Sequence, residues 1–330
     1  MIGMEIRNFR TGVVALVGRP NVGKSTLLNW IVGQKVSIVS DKPQTTRRRV
    51  LGIATTESYQ IIFIDTPGIH EPHTKLGRAM VDQARAAIAD VDVVLFVVDG
   101  SHHPGEQDKE IARMLRRTST PQPPPPFPTN TGQHASGESR EMEEGGPQPT
   151  PVLLCMNKMD QLKAENVQQF VEAYTELAGT GEYMLTTATR GQNVDKLVEM
   201  IVGHLPEGEP LYDADDFTDQ SSRFLAGELV REKILQATRQ EVPHAVAVLV
   251  EEWEDEDDLT RIGATIIVEK ASQRGIIIGK QGQFLKKIGT AARQEIEQVL
   301  GKRVFLELHV KVQEDWRMNP RILQELEYSD

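Results

Sequence analysis

The 330-residue sequence has a single cysteine, so no internal disulfide can form. Cys155 sits in the apolar run VLLCM, where a thiol packs as a small hydrophobe rather than acting as a nucleophile. Long apolar runs are missing as well: VVLFVV, from Val93 to Val98, is far too short to cross a bilayer, and no charged-then-apolar leader opens the chain. These absences read as a cytosolic protein. Net positive charge is also lacking, and a formal charge of −11 argues against nucleic-acid binding spread over the whole surface. The charge is unevenly placed, however. EEWEDEDD (Glu251 to Asp258) is acidic, whereas the stretch from Lys270 to Lys311 carries nine Lys or Arg against three Glu. One face of the C-terminal part can therefore be basic. Internal repeats are absent.

The length exceeds that of a typical single domain and implies two. From Val13 to about His204, strand candidates VVALV, YQIIFID, VDVVLFVVD, PVLLCMN and EYMLTT alternate with helical patterns. That rhythm predicts an α/β domain over 1–205 with a mixed, mostly parallel sheet. Residues 118–150 are rich in Pro, Gly, Ser and Glu without an apolar period, as expected of a disordered insertion. Residues 206–222 read as an acidic linker to a second domain over 223–330. There Leu225/Leu229 and Val230/Ile234 predict a helix, VAVLVEEW and ATIIVEK strands, and Phe284 to Leu300 another helix. Val304, Leu306, Leu308, Val310 and Val312 alternate along a strand of a sheet covered on one side.

GRPNVGKST (Gly18 to Thr26) lies between a strand and a helical run, the setting of a P-loop. Its glycines let the N–H groups from Asn21 to Ser25, including those of Val22, Gly23 and Lys24, curl around an anion at a helix N-terminus. Lys24 is expected to bridge the β- and γ-phosphates and Ser25 to ligate Mg²⁺. DTPG (Asp65 to Gly68) ends the next candidate strand, placing Asp65 to hold Mg²⁺ through a water and the Gly68 N–H toward the γ-phosphate. NKMD (Asn157 to Asp160) ends a third. The Asp160 carboxylate can accept from both N1–H and the exocyclic amine of guanine, a pairing adenine cannot offer. Asn157 and the stem of Lys158 would brace the loop and cover the base. Thr187 and Ala188 close another strand, and the Ala188 N–H could reach the guanine carbonyl. DTPG, NKMD and the Thr187–Ala188 match are each weak alone; following a P-loop in this order on one sheet edge, they imply a P-loop NTPase fold that holds GTP or GDP.

Between the P-loop and DTPG runs SIVSDKPQTTRRR, polar enough to order around a γ-phosphate and relax after its loss. Thr46, rather than Thr45, is expected to complete the magnesium shell. The position after DTPG, where many such enzymes carry a water-orienting Gln, is Ile69. Hydrolysis therefore needs another device and should be slow unaided; His70 and His73 lie nearby as alternative bases. In the second domain, IIIGKQGQFLKKIG holds a GxxG loop, Gly279-Lys280-Gln281-Gly282, after Ile278 and before a helix with Lys286, Lys287 and Arg293. The αββααβ order is that of an α+β type II KH module, whose glycines admit a single-stranded RNA backbone. A helix with a merely solvated basic face is the alternative.

The motif series GRPNVGKST, SDKPQTTR, DTPG, NKMD, FLAGELVREKIL, IIIGKQG and LELHVKV resembles the Era family of bacterial GTPases, within the TrmE-Era-EngA-like group. The likeness covers nearly the whole chain and leaves out only the Pro-rich insertion. It implies a monomeric GTPase whose KH domain grips the 3′ end of 16S rRNA during assembly of the 30S subunit, with peripheral association at the inner face of the cell membrane. Ile69 matches that group's apolar residue, and Asn21 matches a P-loop asparagine that in related enzymes coordinates K⁺. The catalytic set is then Asn21, Lys24, Thr46 and Gly68. An RNA-binding scaffold that holds GTP without turnover is the rival reading, favoured by Ile69 and separable by steady-state hydrolysis.

Overall fold

The computed structural model describes residues 9–69, 74–118 and 149–328. His70 and His73 and nearly all of the expected insertion lie outside the described residues. In chain order the first domain runs β1 (Arg10–Val17), α1 (Lys24–Val32), β2 (Val50–Thr55), β3 (Tyr59–Asp65), α2 (Lys75–Ala86), β4 (Val93–Asp99), α3 (Glu106–Thr118), β5 (Val152–Asn157), α4 (Val167–Ala178), β6 (Tyr183–Leu185) and α5 (Val194–His204). Its sheet has the order β2-β3-β1-β4-β5-β6. Every pair is parallel except β2 with β3. β2 was not among the strand candidates: in VLGIAT, Gly52 and Ala54 dilute the β-branched signal. The strand expected over EYMLTT shortens to Tyr183–Leu185.

Apolar side chains alternate across the central strands because a strand turns successive residues to opposite faces. Val14 and Leu16 join α1 and α5 on one side, while Ala15 and Val17 join α3 and α4 on the other. β4 is buried at every residue, as a parallel strand covered on both faces must be. Its neighbour β5 holds Cys155 at 0% exposure, and burial pushes that thiol up to about 12, an unreactive state at neutral pH.

The second domain follows as α6 (Ser222–Ala237), α7 (Val242–Ala245), β7 (Ala247–Asp255), β8 (Leu259–Val268), α8 (Ala271–Ile278), α9 (Gln283–Leu300), β9 (Arg303–Val312) and α10 (Pro320–Glu325). Its sheet, β7-β8-β9, is antiparallel between β7 and β8 and parallel between β8 and β9. The acidic run Glu251–Asp258 forms the end of β7 and the turn after it. α6, α8 and α9 pack on the face that carries Val304, Leu306, Leu308, Val310 and Val312. The opposite face is not left wholly to solvent, contrary to the one-sided expectation. Ala247 and Ile267 there meet Trp316, Leu323, Leu326 and Tyr328 of the C-terminal segment, together with Leu76 and Met80 of α2.

The acidic linker is strapped to the first domain rather than spanning open solvent. The Phe217 carbonyl accepts from Ile53 N at 3.0 Å, Thr218 Oγ1 donates to Leu51 O at 2.7 Å, and Gln60 Oε1 accepts from Leu211 N and Tyr212 N. Edge strand β2 thus has the outward Ile53 amide and Leu51 carbonyl occupied within the chain, which blunts it as a template for strand addition.

Candidate functional site

At the carboxyl ends of β1, β3 and β5 the loops enclose a cleft of about 460 Å³ lined by the P-loop, the 38–46 segment, Gly68, the NKMD loop and Thr187–Thr189. The P-loop turn depends on glycine at one point above all. Gly23 has φ 105°, and a Cβ there would stand 2.2 Å from Asn157 Nδ2. From that turn α1 starts, so its first amides face the cleft and favour an anion. Gly18 begins the loop, Val22 is buried beneath it, and Thr26 lies in the first turn of α1. Lys24 is buried, its ammonium donating to Gly18 O at 3.0 Å and Arg19 O at 3.1 Å. Burial lowers its pKa to about 8, with Asp65 pulling the other way.

A corner rich in oxygen lies beside it. Ser25 Oγ donates to Asp65 Oδ2 at 2.5 Å and stands 3.0 Å from Thr46 Oγ1, itself 3.5 Å from the same carboxylate oxygen. Asp65 is fully buried, and burial raises its pKa against Lys24 and three hydroxyls. Its Oδ1 is buried with no hydrogen-bond partner. One carboxylate with an orphaned oxygen and two hydroxyls is a donor set of hard oxygens, which fits Mg²⁺. Thr45 takes no part: its hydroxyl donates to Lys42 O at 2.7 Å, closing a local turn.

The NKMD loop is built around Asn157. Its Nδ2 donates to Val22 O at 2.8 Å, and its Oδ1 accepts from Ala188 N at 2.9 Å and Thr186 Oγ1 at 3.3 Å. The Ala188 N–H, expected to face the guanine carbonyl, is thus engaged in bracing the loop. The cause is the buried Asn157 amide, which needs a partner on each side. Lys158, at φ 62°, lays its stem along the cleft and places Nζ 2.9 Å from Asp99 Oδ2. Asp160 keeps its carboxylate at the cleft, with Arg190 3.7 Å away, and Thr187 is buried next to it.

On the P-loop, Asn21 reaches across to the switch segment and donates to Asp41 O at 2.7 Å. Ile69 is half-buried and packs into the apolar layer around Val17 and Ile88, so its side chain serves the core and not the cleft.

The second domain supplies a groove of about 340 Å³ between α9 and β9, lined by Gly282, Leu285, Lys286, Gly289, Thr290, Arg293, Leu306 and Leu308. Gly279 opens the GxxG loop at φ 70°, where a Cβ would stand 2.6 Å from Phe284 Cβ. Ile278 is half-buried, and Lys280 and Gln281 project at the tip. Lys287 lies on the neighbouring side of α9, outside this groove, and Arg293 also pairs with Glu297 at 3.2 Å.

Residues 13–124 match the family model described as a 50S ribosome-binding GTPase, and residues 241–317 match the KH domain. The chain is 44% identical over 329 residues to GTPase Era of Leuconostoc citreum, covering 99% of each chain. It is 41% identical to GTPase Era of Heliobacterium modesticaldum over 326 residues, which is 98% of this chain and 99% of that one. This chain belongs to the Era family of GTPases. Two solved Era structures share its fold at a TM-score of 0.85. One is Era in complex with MgGDPNP and nucleotides 1506–1542 of 16S ribosomal RNA, 40% identical, covering 98% of this chain and 100% of that one. The other is a point variant of Aquifex aeolicus Era bound to GDP·AlF4⁻, 39% identical with the same coverage. As an Era-family member the chain is a GTPase with an N-terminal G domain and a C-terminal KH domain.

The feature this Era-family sequence concealed is the depth to which its switch segment is built into the KH side. Arg47 reads as part of a solvated RRR run, yet it is 1% exposed. Its guanidinium donates to Val246 O at 2.7 Å and Pro243 O at 3.3 Å, between the rings of Trp316 and Tyr328. Charged residues Glu228, Arg231 and Glu232 are buried on α6, on the side away from its apolar stripe. A helix buried on both sides needs two partners, and periodicity names only one of them.

Proposed function

We propose that the cleft binds guanine nucleotide through Gly18, Asn21 to Thr26, Gly68, Asn157, Lys158, Asp160, Thr187 and Ala188, and that its state governs how the KH domain holds the 3′ end of 16S rRNA in 30S assembly. Lys24 and the N-terminal amides of α1 would bind the β- and γ-phosphates, and Asp160 would select guanine. Ser25, Thr46 and Asp65 are the residues that would hold Mg²⁺. When bound there, the ion neutralises charge on the phosphate oxygens. The Gly68 N–H would restrain the γ-phosphate while water attacks. With Ile69 turned into the core, a K⁺ ion beside Asn21 and Asp41 O would contribute the charge that other GTPases take from an arginine.

For RNA, the α9–β9 groove offers apolar floor residues Leu306 and Leu308 under basic Lys286 and Arg293, with Lys280 and Gln281 at the GxxG tip. The support comes from family membership and from the solved Era complex with a 16S fragment. Action as a monomer and peripheral contact with the inner membrane face rest on the family resemblance. No helix among the described residues is long and apolar enough to cross a membrane.

One observation carries the coupling: the segment from Lys35 to Arg48 lies between the nucleotide cleft and α6. Lys35 Nζ pairs with Glu232 at 2.7 Å, Val39 N donates to Glu232 Oε1 at 2.6 Å, and Ile38 enters the KH core. Reordering this segment on γ-phosphate loss must change what α6 touches. The test is steady-state GTP turnover with and without a 16S 3′-end oligonucleotide, alongside oligonucleotide affinity in GDP and in a GTP analogue. Equal RNA affinity in both nucleotide states, with turnover indifferent to RNA, removes the coupling.

A further inference from the structure

Of the three residues that would hold magnesium, Thr46 alone comes from a loop; Ser25 lies in the first turn of a helix and Asp65 ends a strand. A loop ligand needs something to hold it, and the hydrogen bonds around Thr46 lead out of the G domain. The carbonyl just before it, Thr45 O, accepts from Arg231 Nη2 on α6. The residue just after it, Arg47, is anchored on Val246 O with its guanidinium between Trp316 and Tyr328. Thr46 therefore hangs between two points of attachment, both on the KH side.

Arg231 is itself held in place. It is 0% exposed, and its Nε donates to Glu228 Oε1 at 2.7 Å while Tyr328 Oη donates to that same oxygen at 3.2 Å. Burial alone would weaken the arginine's charge, but Glu228, Tyr328 and Glu232 outweigh it and hold the pKa above its ordinary value. Replacing a buried ion pair as a whole by apolar residues often costs nothing, whereas removing one member strands the other, so the Arg231–Glu228 pair is weak evidence for a purely stabilising role. Because the peptide unit is planar, fixing Thr45 O also fixes the plane from which the Thr46 Cα leaves.

We infer that Arg231 is a positioning residue for GTP hydrolysis: by holding the Thr45 carbonyl from the KH domain, it presents the Thr46 hydroxyl to the magnesium corner beside Ser25 and Asp65. The magnesium shell of the G domain is thus completed under the control of the second domain. This rests on the reading of Thr46 as a magnesium-holding residue, and it adds a residue distant in sequence whose effect passes wholly through that hydroxyl. Local turn bonds do not replace it, because the Thr45 hydroxyl bond to Lys42 O restrains only the preceding residues.

The experiment uses the full chain and a fluorescent, non-hydrolysable GTP analogue. Its dissociation rate is followed against Mg²⁺ concentration for the parent, Thr46→Ala, Arg231→Met, Arg231→Lys and the Thr46→Ala/Arg231→Met double variant. Thr46→Ala should raise the half-saturating Mg²⁺ concentration about tenfold, and Arg231→Met should do nearly the same, as loss of a group that orients a metal ligand does. Arg231→Lys, which keeps one donor for the carbonyl, should recover much of it. Affinity measured in EDTA should not change, because the P-loop and base loop are untouched. The double variant should behave as Thr46→Ala alone. An unshifted Mg²⁺ requirement in Arg231→Met, or an effect that multiplies with Thr46→Ala, overturns the inference. No shift in Thr46→Ala sinks the reading of Thr46 itself, a separate failure. Should Arg231→Met not fold, Tyr328→Phe removes only the hydroxyl that supports Glu228; a smaller rise in the same direction is expected, and no rise counts against the proposal.

Discussion

Asn157 Nδ2 donates to the Val22 carbonyl at 2.8 Å, tying the end of β5 to the turn that opens α1. The loop that would recognise the base and the loop that would hold phosphate are therefore one hydrogen-bonded unit. Asn157→Ala removes this bond and leaves Ala188 N and Thr186 Oγ1 without their acceptor. The expected cost is about 2 kcal/mol of stability, read by denaturant unfolding, with GDP and GTP affinity falling together. Loss of guanine preference with phosphate affinity intact would contradict this.

Asp160 presents an acceptor pair where guanine presents donors. Asp160→Asn offers a donor in its place, which suits the C2 carbonyl of xanthine. The preference should pass from GTP to XTP, with GTP affinity falling about a hundredfold or more in competition binding. A variant that binds both nucleotides poorly and equally would show that the carboxylate supports the loop instead of reading the base.

Asn21 Nδ2 donates to Asp41 O at 2.7 Å, which brings the Asn21 amide, whose Oδ1 is the atom able to ligate a cation, next to a backbone oxygen of another loop. GTP hydrolysis should be faster in K⁺ than in Na⁺ at equal ionic strength, and Asn21→Ala should erase the difference. Equal rates for the parent in the two salts would remove the role given to Asn21.

For the GxxG loop, an Asp at Gly279 is a poor probe. The positive φ and the close approach of Phe284 would distort the fold whatever the RNA does. Lys280→Glu with Lys286→Glu leaves the backbone alone. Affinity for a 16S 3′-end oligonucleotide should fall more than tenfold. The slope of log K against log salt should drop by about 1.4, since each phosphate that a lysine neutralises is worth ~0.7 on a single strand. An unchanged slope would make the basic side of α9 a solvated surface.

Much of the fold and cleft was legible because phosphate and guanine chemistry demand particular residues at fixed spacing after buried strands. Gly18 to Thr26, Asp65, Gly68 and Asn157 to Asp160 are of that kind, and each stands at the sheet edge where its strand ends. The preference for Thr46 over Thr45 had no such chemical ground in the sequence; the structure separates them, with the Thr46 hydroxyl 3.0 Å from Ser25 Oγ and that of Thr45 on Lys42 O. What stayed hidden depends on partners far away in sequence. The Ala188 amide belongs to Asn157, β2 is held by β3 and the linker, and Arg47 is buried only because Trp316 and Tyr328 enclose it. Glu228 and Arg231 follow the helical period faithfully yet occupy a second interface, and no local pattern distinguishes that from a solvated face.

The placement of Ile38 among the apolar side chains of α6, α8 and α9 limits how modular the chain can be. With Leu76 and Met80 of α2 resting on Trp316 and Leu323, a cut in the linker would bare apolar surface on both fragments. Two family signatures can be read along the sequence, but they do not mark two interchangeable parts. A G domain transplanted onto another RNA-binding module would bring a switch segment shaped to a helix it no longer had, so the two halves are constrained to change together.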